Sequence, residues 1–349
     1  MPSPISPVEA IRKEMESGGT TDVGIFTIKS ANKTISDAAM RPNPRNLFCS
    51  LWYEGEVSCL FSDSNLGKSI YAVQIAEEIA KYDRILLIDC ELSDKQFQLR
   101  YTDEISGAKH IFPENMFRAE INPVSFNVKD YEERILGDIE SAALKLKAKI
   151  IIVDNLTYLC NASDKGVDAG LFMMKLIQLK MKYGWSLLVI AHTPKRSLSS
   201  PITQNDLAGS KKLYNFFDSV FAIGKSAKDS RLRYVKQLKV RAGEFRYSDD
   251  NVMVYEIEKS NAFVHFEFKS YDSEREHLKE QKDDQLSERD KNILDLLSQG
   301  KSCRDIAQIT GYSKSLVSKV SKANKASTDV HASTGVDSVD TVDSQRHEI

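Results

Sequence analysis

The chain has 349 residues, a hydrophobic fraction of 41% and a formal net charge of −2. This length favours one main domain with smaller appendages, and the apolar content is enough for an ordinary buried core. The near-neutral charge excludes a polycation that binds nucleic acid over its whole surface, so any such contact must come from a local patch.

The cysteines and histidines give no sign of a disulfide framework or a zinc site. The five cysteines are scattered without a Cys-x-x-Cys pair, and the six histidines do not cluster with cysteines or acids at metal-ligand spacing. The N-terminus lacks the apolar stretch of a signal peptide, and no apolar run reaches the ~18 residues that a membrane span needs. We therefore expect a cytoplasmic protein that makes no membrane contact.

Residues 1–45 form a mixed N-terminal arm. Val8–Ser17 has the pattern of a short helix, and the two prolines of Arg41–Arg45 indicate an extended connector. The arm is either a docking or oligomer-contact segment or a loose one.

Residues 46–270 alternate between strand and helix patterns. Apolar runs typical of strands buried on both faces cover Glu56–Phe61, Arg84–Asp89, Lys149–Asp154 and Ser186–Ala191. Helical spacing covers Ile70–Lys81, Asp94–Arg100, Tyr131–Lys147 and Ala169–Tyr183. This alternation predicts an α/β fold with a mostly parallel central sheet.

The second part of this region changes to strands alone. Ser219–Ile223 is a shorter strand, and strand patterns then cover Leu232–Val240, Val252–Ile257 and Ala262–Phe268. The pair Ser260-Asn261 is a plausible hairpin turn between the last two.

The segment between the first strand and its helix has the pattern of a phosphate-binding loop. Residues 62–69 read S-D-S-N-L-G-K-S, which matches G-x-x-x-x-G-K-[ST] except that Ser62 replaces the first glycine. The tripeptide Gly-Lys-Ser alone is common, but a strand before it and a helix after it are the context that this loop requires. A serine fits the first position only if its φ is not strongly positive.

Such a loop points backbone N–H groups at phosphate from a helix N-terminus. Lys68 should reach the β- and γ-phosphates, and Ser69 should place its hydroxyl on Mg²⁺. We therefore predict that ATP and Mg²⁺ are bound by Ser62, Asp63, Ser64, Asn65, Leu66, Gly67, Lys68 and Ser69.

Polar residues follow three further strand patterns. Asp154 has the position of a carboxylate that holds Mg²⁺ through water, although it could also cap the next turn. Glu91 could act as the general base that orients the attacking water, or it could cap the helix that follows. His192 could sense the nucleotide state, or it could be an ordinary loop histidine.

Two basic segments complete the candidate site. The long loop Pro194–Ser210 is rich in Lys, Arg, Ser and Pro and could contact a nucleic-acid backbone in the channel of a ring. Strand alternation places Lys239 and Arg241 on one face. They could reach a neighbouring subunit's phosphates as an arginine finger in trans, or they could be charges that protect an edge strand.

The set of motifs resembles the RecA-like ATPases, and most closely the RepA/DnaB-type group of hexameric helicases from plasmids, phages and mobile elements. The resemblance covers about Leu47 to Ser270 and includes the sequence Leu207-Ala208-Gly209-Ser210. It implies a homo-oligomeric ring, a hexamer, with ATP between subunits. It also implies a catalytic glutamate matching Glu91 and a Lys-x-Arg element matching Lys239 and Arg241. The departures are Ser62, and His192 where some members have Gln.

The C-terminal region divides into three parts by composition: a charged linker at 271–285, a small helical module at 286–325 and a disordered tail at 326–349. The module has three short apolar patterns with a Thr310-Gly311-Tyr312 turn, and it resembles the helix-turn-helix of sigma factors and response regulators. Its third helix carries cationic and hydroxyl side chains and no acid, which suits contact with DNA. The predicted DNA-binding residues are Lys314, Ser315, Ser318, Lys319 and Lys322. A small protein-docking module is the alternative.

The leading functional hypothesis is an oligomeric, DNA-acting RecA-like ATPase, a replicative-helicase-like or replication-initiation ATPase of a mobile element. Its catalytic residues would be Lys68, Glu91, Asp154, His192, Lys239 and Arg241. Two alternatives remain: an ATP-switched DNA-binding regulator that does not unwind DNA, and a RecA-like filament protein.

Overall fold

The computed structural model describes residues 20–121, 131–156, 159, 169–193, 196–207, 211–279 and 288–321. The chain forms two units, Met1–Lys279 and Glu280–Ile349. The described part of the first unit is a layered α/β domain, and the described part of the second consists of three short helices. No helix within these ranges is long and apolar enough to cross a membrane.

The described secondary structure of the first unit follows the predicted alternation. The strands are β1 (Thr21–Val23), β2 (Phe26–Ile28), β3 (Asn46–Phe48), β4 (Trp52–Tyr53), β5 (Val57–Ser62), β6 (Ile85–Asp89), β7 (Met116–Glu120), β8 (Ile150–Asp154), β9 (Ser186–His192), β10 (Ser219–Lys225), β11 (Leu232–Lys239), β12 (Val252–Ser260) and β13 (Phe263–Asp272). The helices are α1 (Ala31–Ala39), α2 (Lys68–Ala80), α3 (Asp94–Arg100), α4 (Tyr131–Leu146), α5 (Ala169–Tyr183) and α6 (Lys211–Tyr214). Short 3₁₀ helices cover Gln204–Asp206 and Glu274–His277.

Within the described residues, nine strands form one sheet in the order β13-β12-β11-β10-β5-β9-β8-β6-β7. Neighbouring strands from β10 to β7 are parallel, whereas β11, β12 and β13 extend the sheet in antiparallel ladders. This architecture is RecA-like, which confirms the predicted α/β fold class of the first unit. Because β5 lies in mid-sheet, the loop after it opens into the crevice where open α/β sheets bind ligands.

The register of the parallel strands brings the predicted site residues to one level. Ser62 at the end of β5 pairs with His192 at the end of β9. Asp89 at the end of β6 pairs with Asp154 at the end of β8. All four residues therefore lie along the carboxyl edge of the sheet.

The two faces of the sheet each bury a separate apolar core. On β5, Cys59 and Phe61 contribute to the core that includes α4 and α5, whereas Leu60 contributes to the core that includes α2. This alternation follows from the two-residue period of a strand. Each fully buried side chain of this size contributes about 1.5–3 kcal/mol relative to exposure, so the cores hold the sheet edge in place.

Several elements of the first unit were not predicted, among them β7 and the elements of the N-terminal arm. Edge strand β7 lacks a continuous apolar run because it is only half-buried and contains Arg118. The described part of the N-terminal arm forms the β1–β2 hairpin and α1, and no residue of α1 is buried. The predicted helix Val8–Ser17 lies outside the described residues.

The turn between β12 and β13 is one residue later than predicted. Ser260 still pairs with Phe263, so the turn consists of Asn261 and Ala262, with φ of 48° and 66°. Positive φ at both positions gives the twist that two-residue hairpin turns need.

The start of the predicted linker is folded into the first unit. β13 extends to Asp272, and the 3₁₀ helix that follows buries Glu274 and His277. Glu274 forms a buried ion pair with Lys236 on β11 at 2.5 Å. Residues 271–279 therefore belong to the α/β unit, although their alternating charges predicted a linker from residue 271.

The described part of the second unit contains α7 (Glu288–Ser298), α8 (Cys303–Thr310) and a further helix, α9, at 314–321. Each helix contributes one fully buried side chain to a small core: Ile293, Ile306 and Val317. Gly311 ends α8 with φ 71°, a conformation that glycine adopts without strain. The three predicted apolar patterns thus meet in one core.

Candidate functional site

The predicted phosphate loop joins β5 to α2. Gly67 caps α2 with φ 95°, and a Cβ added there would lie 2.9 Å from side-chain atoms of both Ile257 and Phe266. Glycine is thus required by both the backbone conformation and the available space. Asn65 also has a positive φ, 62°, which asparagine tolerates better than most residues.

Ser62 occupies the position of the missing first glycine. It is the last residue of β5 and is not among the residues with positive φ. Its hydroxyl donates to the carbonyl oxygen of Asp63 at 2.9 Å. The serine therefore fits the loop without backbone strain, as its prediction required.

Lys68 folds back over the loop. Its buried Nζ donates to the carbonyl oxygens of Ser62 and Asp63 at 3.0 and 3.1 Å. Burial lowers the pKa of Lys68, and the carboxylates of Asp154, Glu91 and Asp63 oppose this shift. Because its hydrogen bonds go to neutral oxygen atoms, an added anion would stabilise the ammonium group.

Ser69 and Asp154 form the candidate cation site. The Ser69 hydroxyl hydrogen-bonds to the Asp154 carboxylate. The pKa of Asp154 is raised to about 7, chiefly by burial and also by the charges of Glu91 and Asp89, against the opposing effects of the Ser69 hydrogen bond and the Lys68 charge. A hydroxyl and a carboxylate are oxygen ligands of the kind that Mg²⁺ prefers, so these residues fit the ion.

Glu91 meets two other residues at neighbouring strand ends. The Asn155 side-chain amide donates to Glu91 Oε1, and the same amide nitrogen lies 3.0 Å from His192 Nε2. His192 Nε2 is also 3.2 Å from Glu91 Oε1. Helix α3 is capped by Ser93 with Gln96, so Glu91 is not its N-cap.

Two residues of this cluster were missed by sequence reasoning. Asn155 directly follows Asp154, and only its position after the strand could have indicated a role. Arg100 ends α3 and lines a cleft of about 470 Å³ together with Lys68, Glu91 and His192. Its Nη1 atom is buried without a hydrogen-bond partner, and a cation in that state suits an anionic ligand.

Arg241 lies at the opposite end of β5 from the phosphate loop. Its Nη1 pairs with Asp218 Oδ1 at 2.6 Å, and Asp218 Oδ2 accepts the backbone N–H of Val57 at 2.9 Å. Val57 begins β5 and Ser62 ends it, so the loop is about 16 Å away along a strand that rises ~3.3 Å per residue. Arg241 therefore does not contribute to the phosphate loop of its own chain.

Lys239 lies on the same side as Arg241. Its Nζ donates to the carbonyl oxygen of Tyr214 at 3.3 Å and is 5.1 Å from the centre of the Tyr214 ring. Burial and the charge of Arg241 lower the pKa of Lys239. The structure thus brings together Lys68, Asp154, Glu91 and His192, and places the Lys-x-Arg element elsewhere.

Residues 28–197 match the family model of the AAA domain. No curated protein matches the chain significantly. Among solved structures, a KaiC-like protein from the hyperthermophilic archaeon Pyrococcus horikoshii is similar, with 16% identity, a TM-score of 0.46, and coverage of 62% of this chain and 91% of that chain. The matched residues include the phosphate loop, Glu91, Asp154 and His192. Together with the geometry of these residues, the match supports a P-loop ATPase.

The predicted DNA-contacting residues lie in the second unit. Lys314, Ser315 and Lys319 on α9 are exposed, and Ser318 is half-buried. Lys322 lies outside the described residues. The exposed side chains include no acid, because 314–321 contains none.

Proposed function

We propose that this chain hydrolyses ATP with Mg²⁺ and uses the energy to act on DNA as an oligomeric, helicase-like ATPase. The observation that carries the proposal is the meeting of Lys68, Asp154, Glu91 and His192 at the carboxyl edge of the sheet. Lys68 would hold the β- and γ-phosphates, and Ser69 and Asp154 would hold Mg²⁺, which supplies charge neutralisation of the phosphates when bound.

Glu91 is the group placed to activate water. Its carboxylate faces the cleft and is partly exposed, so a water molecule can approach it. Asn155 and His192 hold Oε1, which leaves the second oxygen to accept a proton from water. Because His192 contacts the same carboxylate, a change in the nucleotide at the loop can be passed to β9 and the segment after it.

The proposed oligomer follows from assigning Arg241 a role in hydrolysis. A guanidinium that stabilises transition-state charge must touch the phosphates. Arg241 is at the far end of β5 from its own loop, so it can contact ATP only on a second copy of the chain. We therefore propose a ring, a hexamer as in the group that the sequence resembles, with one ATP site at each subunit contact.

DNA is the proposed partner of both units. The described loop residues 196–207 follow β9 and could contact single-stranded DNA in the ring channel. The exposed cations of α9 could contact duplex DNA as a helix-turn-helix does. The second candidate function, an ATP-switched DNA-binding regulator, is favoured because the three-helix module belongs to a second unit and has a small core of its own.

The first experiment separates a motor from a regulator. ATP hydrolysis is measured with and without single-stranded DNA, and strand displacement is measured on a forked duplex. A motor should show DNA-stimulated hydrolysis with displacement, and Lys68→Ala should remove both. Specific duplex binding that survives Lys68→Ala, with no displacement by the wild type, would establish the regulator instead.

The second experiment tests the composite site. Arg241→Ala should reduce hydrolysis by ~10³-fold or more while ATP binding stays nearly intact, as for other trans arginines. Mixing Arg241→Ala subunits with Lys68→Ala subunits should restore part of the activity, because some contacts then join an intact loop to an intact arginine. Arg231→Ala is the matched control, since Arg231 is exposed and pairs with the acids Asp229 and Glu256, neither of which lines the nucleotide cleft. If mixing restores nothing, or Arg241→Ala abolishes ATP binding, the trans role is excluded.

A further inference from the structure

A buried carboxylate organises the turn that carries Glu91. Asp89 ends β6 and is 5% exposed. Its Oδ1 accepts the backbone N–H groups of Glu91 and Leu92 at 3.1 and 3.0 Å. Its other oxygen, Oδ2, accepts from Arg118 Nε at 2.9 Å.

Arg118 reaches this turn from the edge strand β7. Besides its bond to Asp89, it donates through Nη2 to the carbonyl oxygen of Leu92. Its guanidinium also lies over the Phe97 ring of α3, 4.8 Å from the ring centre. One side chain therefore contacts the end of β6, the turn after it and the helix that ends at Arg100.

We propose that Arg118 is a positioning residue for hydrolysis, acting through Asp89 to fix the place of Glu91 in the nucleotide cleft. The inference rests on the proposed role of Glu91 as the base that activates water. Arg118 itself does not line the cleft. It acts on the reaction only through the residues that it holds.

The contacts explain why the turn needs such a support. Asn155 and His192 hold only the tip of the Glu91 side chain, and its backbone is fixed by Asp89. Without Arg118, the buried Asp89 carboxylate would lose its cation, and the Leu92 carbonyl would lose a donor. A shift of about 1 Å at a catalytic group can reduce the rate by ~10²-fold.

Arginine suits this position better than lysine. Its planar fork donates in several directions at once and stacks on an aromatic ring, whereas a lysine ammonium is a point charge. Arg118→Lys could keep the ion pair with Asp89, but it would lose either the bond to Leu92 or the contact with Phe97. The conservative variant should therefore be intermediate.

The test compares four single variants by steady-state ATPase kinetics and by binding of a non-hydrolysable ATP analogue. Arg118→Met should lower kcat by ~10²-fold, and Arg118→Lys by ~10-fold, with KM and analogue affinity within about threefold of the wild type. Asp89→Asn keeps an acceptor for the two N–H groups but cannot pair with Arg118, so it should resemble Arg118→Met. Arg231→Met is the control. It removes an exposed arginine that directly precedes β11, and it should change none of these values.

A Glu91→Gln background distinguishes positioning from a general structural defect. If Arg118 acts through Glu91, then Arg118→Met should cause no further loss of the residual activity in that background. A merely structural defect would lower the residual activity again and weaken the binding of the analogue. Thermal melting of each variant identifies any that fail to fold. If Arg118→Met fails to fold, the kinetics of Arg118→Lys and Asp89→Asn test the positioning role instead.

The outcomes separate the inference from the function on which it rests. Full kcat in Arg118→Met, a parallel loss of kcat and analogue affinity, or an additive loss in the Glu91→Gln background overturns the positioning role. If Glu91→Gln itself hydrolyses ATP at the wild-type rate, the proposed role of Glu91 fails. A loss of activity in Glu91→Gln with no effect of Arg118→Met leaves the function standing and rejects only the inference.

Discussion

Two lysines are buried among the described residues of the α/β unit, and their surroundings differ. Lys68 in the nucleotide cleft is 6% exposed, and Lys236 on β11 is 3% exposed. Lys68 donates to neutral oxygen atoms of its own loop. Lys236 donates to carboxylate oxygens of Glu274 and Asp249, at 2.5 and 2.7 Å, and to a backbone carbonyl.

The acids near the two lysines differ in the same way. Glu274 accepts from Lys236 and also from the Ile202 N–H and the Tyr234 hydroxyl, at 2.8 and 3.1 Å. In the cleft, by contrast, the buried Asp154 has a pKa raised to about 7, and the Arg100 guanidinium keeps an unpaired nitrogen. Buried charge that is fully paired serves the fold, and buried charge that lacks a counter-ion indicates where a ligand binds.

The largest expected effect is on ATP affinity when Lys68 is replaced. Truncating one partner of a desolvated charge pair costs ~2–5 kcal/mol, so Lys68→Ala should weaken ATP binding by ~30-fold to several thousand-fold. The free energy of unfolding of the nucleotide-free protein should change by less than ~1 kcal/mol, because the Ser62 carbonyl still accepts the Thr193 N–H and water can enter the space left by the side chain. Isothermal titration calorimetry and urea denaturation measure the two quantities.

Lys81→Ala is the matched control for this prediction. Lys81 follows the same helix, and its ammonium pairs with Glu78 at the surface. It should affect neither quantity. If Lys68→Ala binds ATP with wild-type affinity but has a lower free energy of unfolding, Lys68 stabilises the fold and does not bind the nucleotide.

The opposite result is expected at Lys236. Lys236→Ala leaves the buried Glu274 without its cation and should lower the free energy of unfolding by about 3–5 kcal/mol. The double variant Lys236→Met/Glu274→Gln should recover most of this loss, because the neutral amide oxygen still accepts from Ile202 and Tyr234 and no unpaired charge is buried. Urea denaturation checks both, and ATP affinity measured at low temperature should stay at the wild-type value. A double variant as unstable as Lys236→Ala would show that the destabilisation does not come from the unpaired acid.

The fold could be predicted from the sequence because its central strands are almost entirely apolar. Apolar runs such as Lys149–Asp154 are typical of strands in a sheet that is covered on both faces. A polar residue at or after the end of each run marks the carboxyl edge of the sheet. The loop Ser62–Ser69 and the residues Glu91 and His192 were predicted by the same rule. Their meeting at one edge follows from parallel strands in register.

The residues that support the site could not be predicted in this way. In the sequence, nothing distinguishes Asp89 from other acids at the ends of strands. Arg118 lies in a strand without an apolar run. Their pairing joins positions 29 residues apart in sequence, and no local pattern predicts it. The charged residues from 271 predicted a linker because sequence alone does not reveal that Glu274 finds a buried lysine on β11.

The pH dependence of stability should report the unpaired acid in the cleft. The pKa of Asp154 is raised from 3.8 to about 7, so folding favours its protonated form. This contribution is fully present below pH ~4 and is lost as the pH rises through about 7. At pH 8, Asp154→Asn should therefore be more stable than the wild type by about 2–4 kcal/mol, and at pH 4 the two should be nearly equal.

Denaturation in urea at pH 4, 6 and 8 measures this difference in nucleotide-free protein. Mg²⁺ and ATP added together should reduce it at pH 8, because the cation stabilises the ionised Asp154 of the wild type. Glu54→Gln serves as control, since Glu54 is only half-buried and its hydrogen bond with Arg45 lowers its pKa instead of raising it. Equal stability of Asp154→Asn and wild type at every pH would show that the carboxylate is not strained by its burial.

The smallest expected effect concerns Arg100, which shares the cleft with Lys68 but is only half-buried. If its unpaired nitrogen serves an anionic ligand, Arg100→Gln should weaken ATP binding by ~10-fold, the size of one charge-assisted hydrogen bond. Unfolding stability should not fall, because Arg100 Nη1 makes no hydrogen bond that the substitution would break. Comparing ATP, ADP and AMP identifies the phosphate involved, since the effect should vanish for any nucleotide that lacks it. If Arg100→Gln lowers stability but leaves the affinity for all three nucleotides unchanged, Arg100 belongs with Lys236 among the charges that stabilise the fold. An unpaired nitrogen would then not be sufficient evidence of a ligand site.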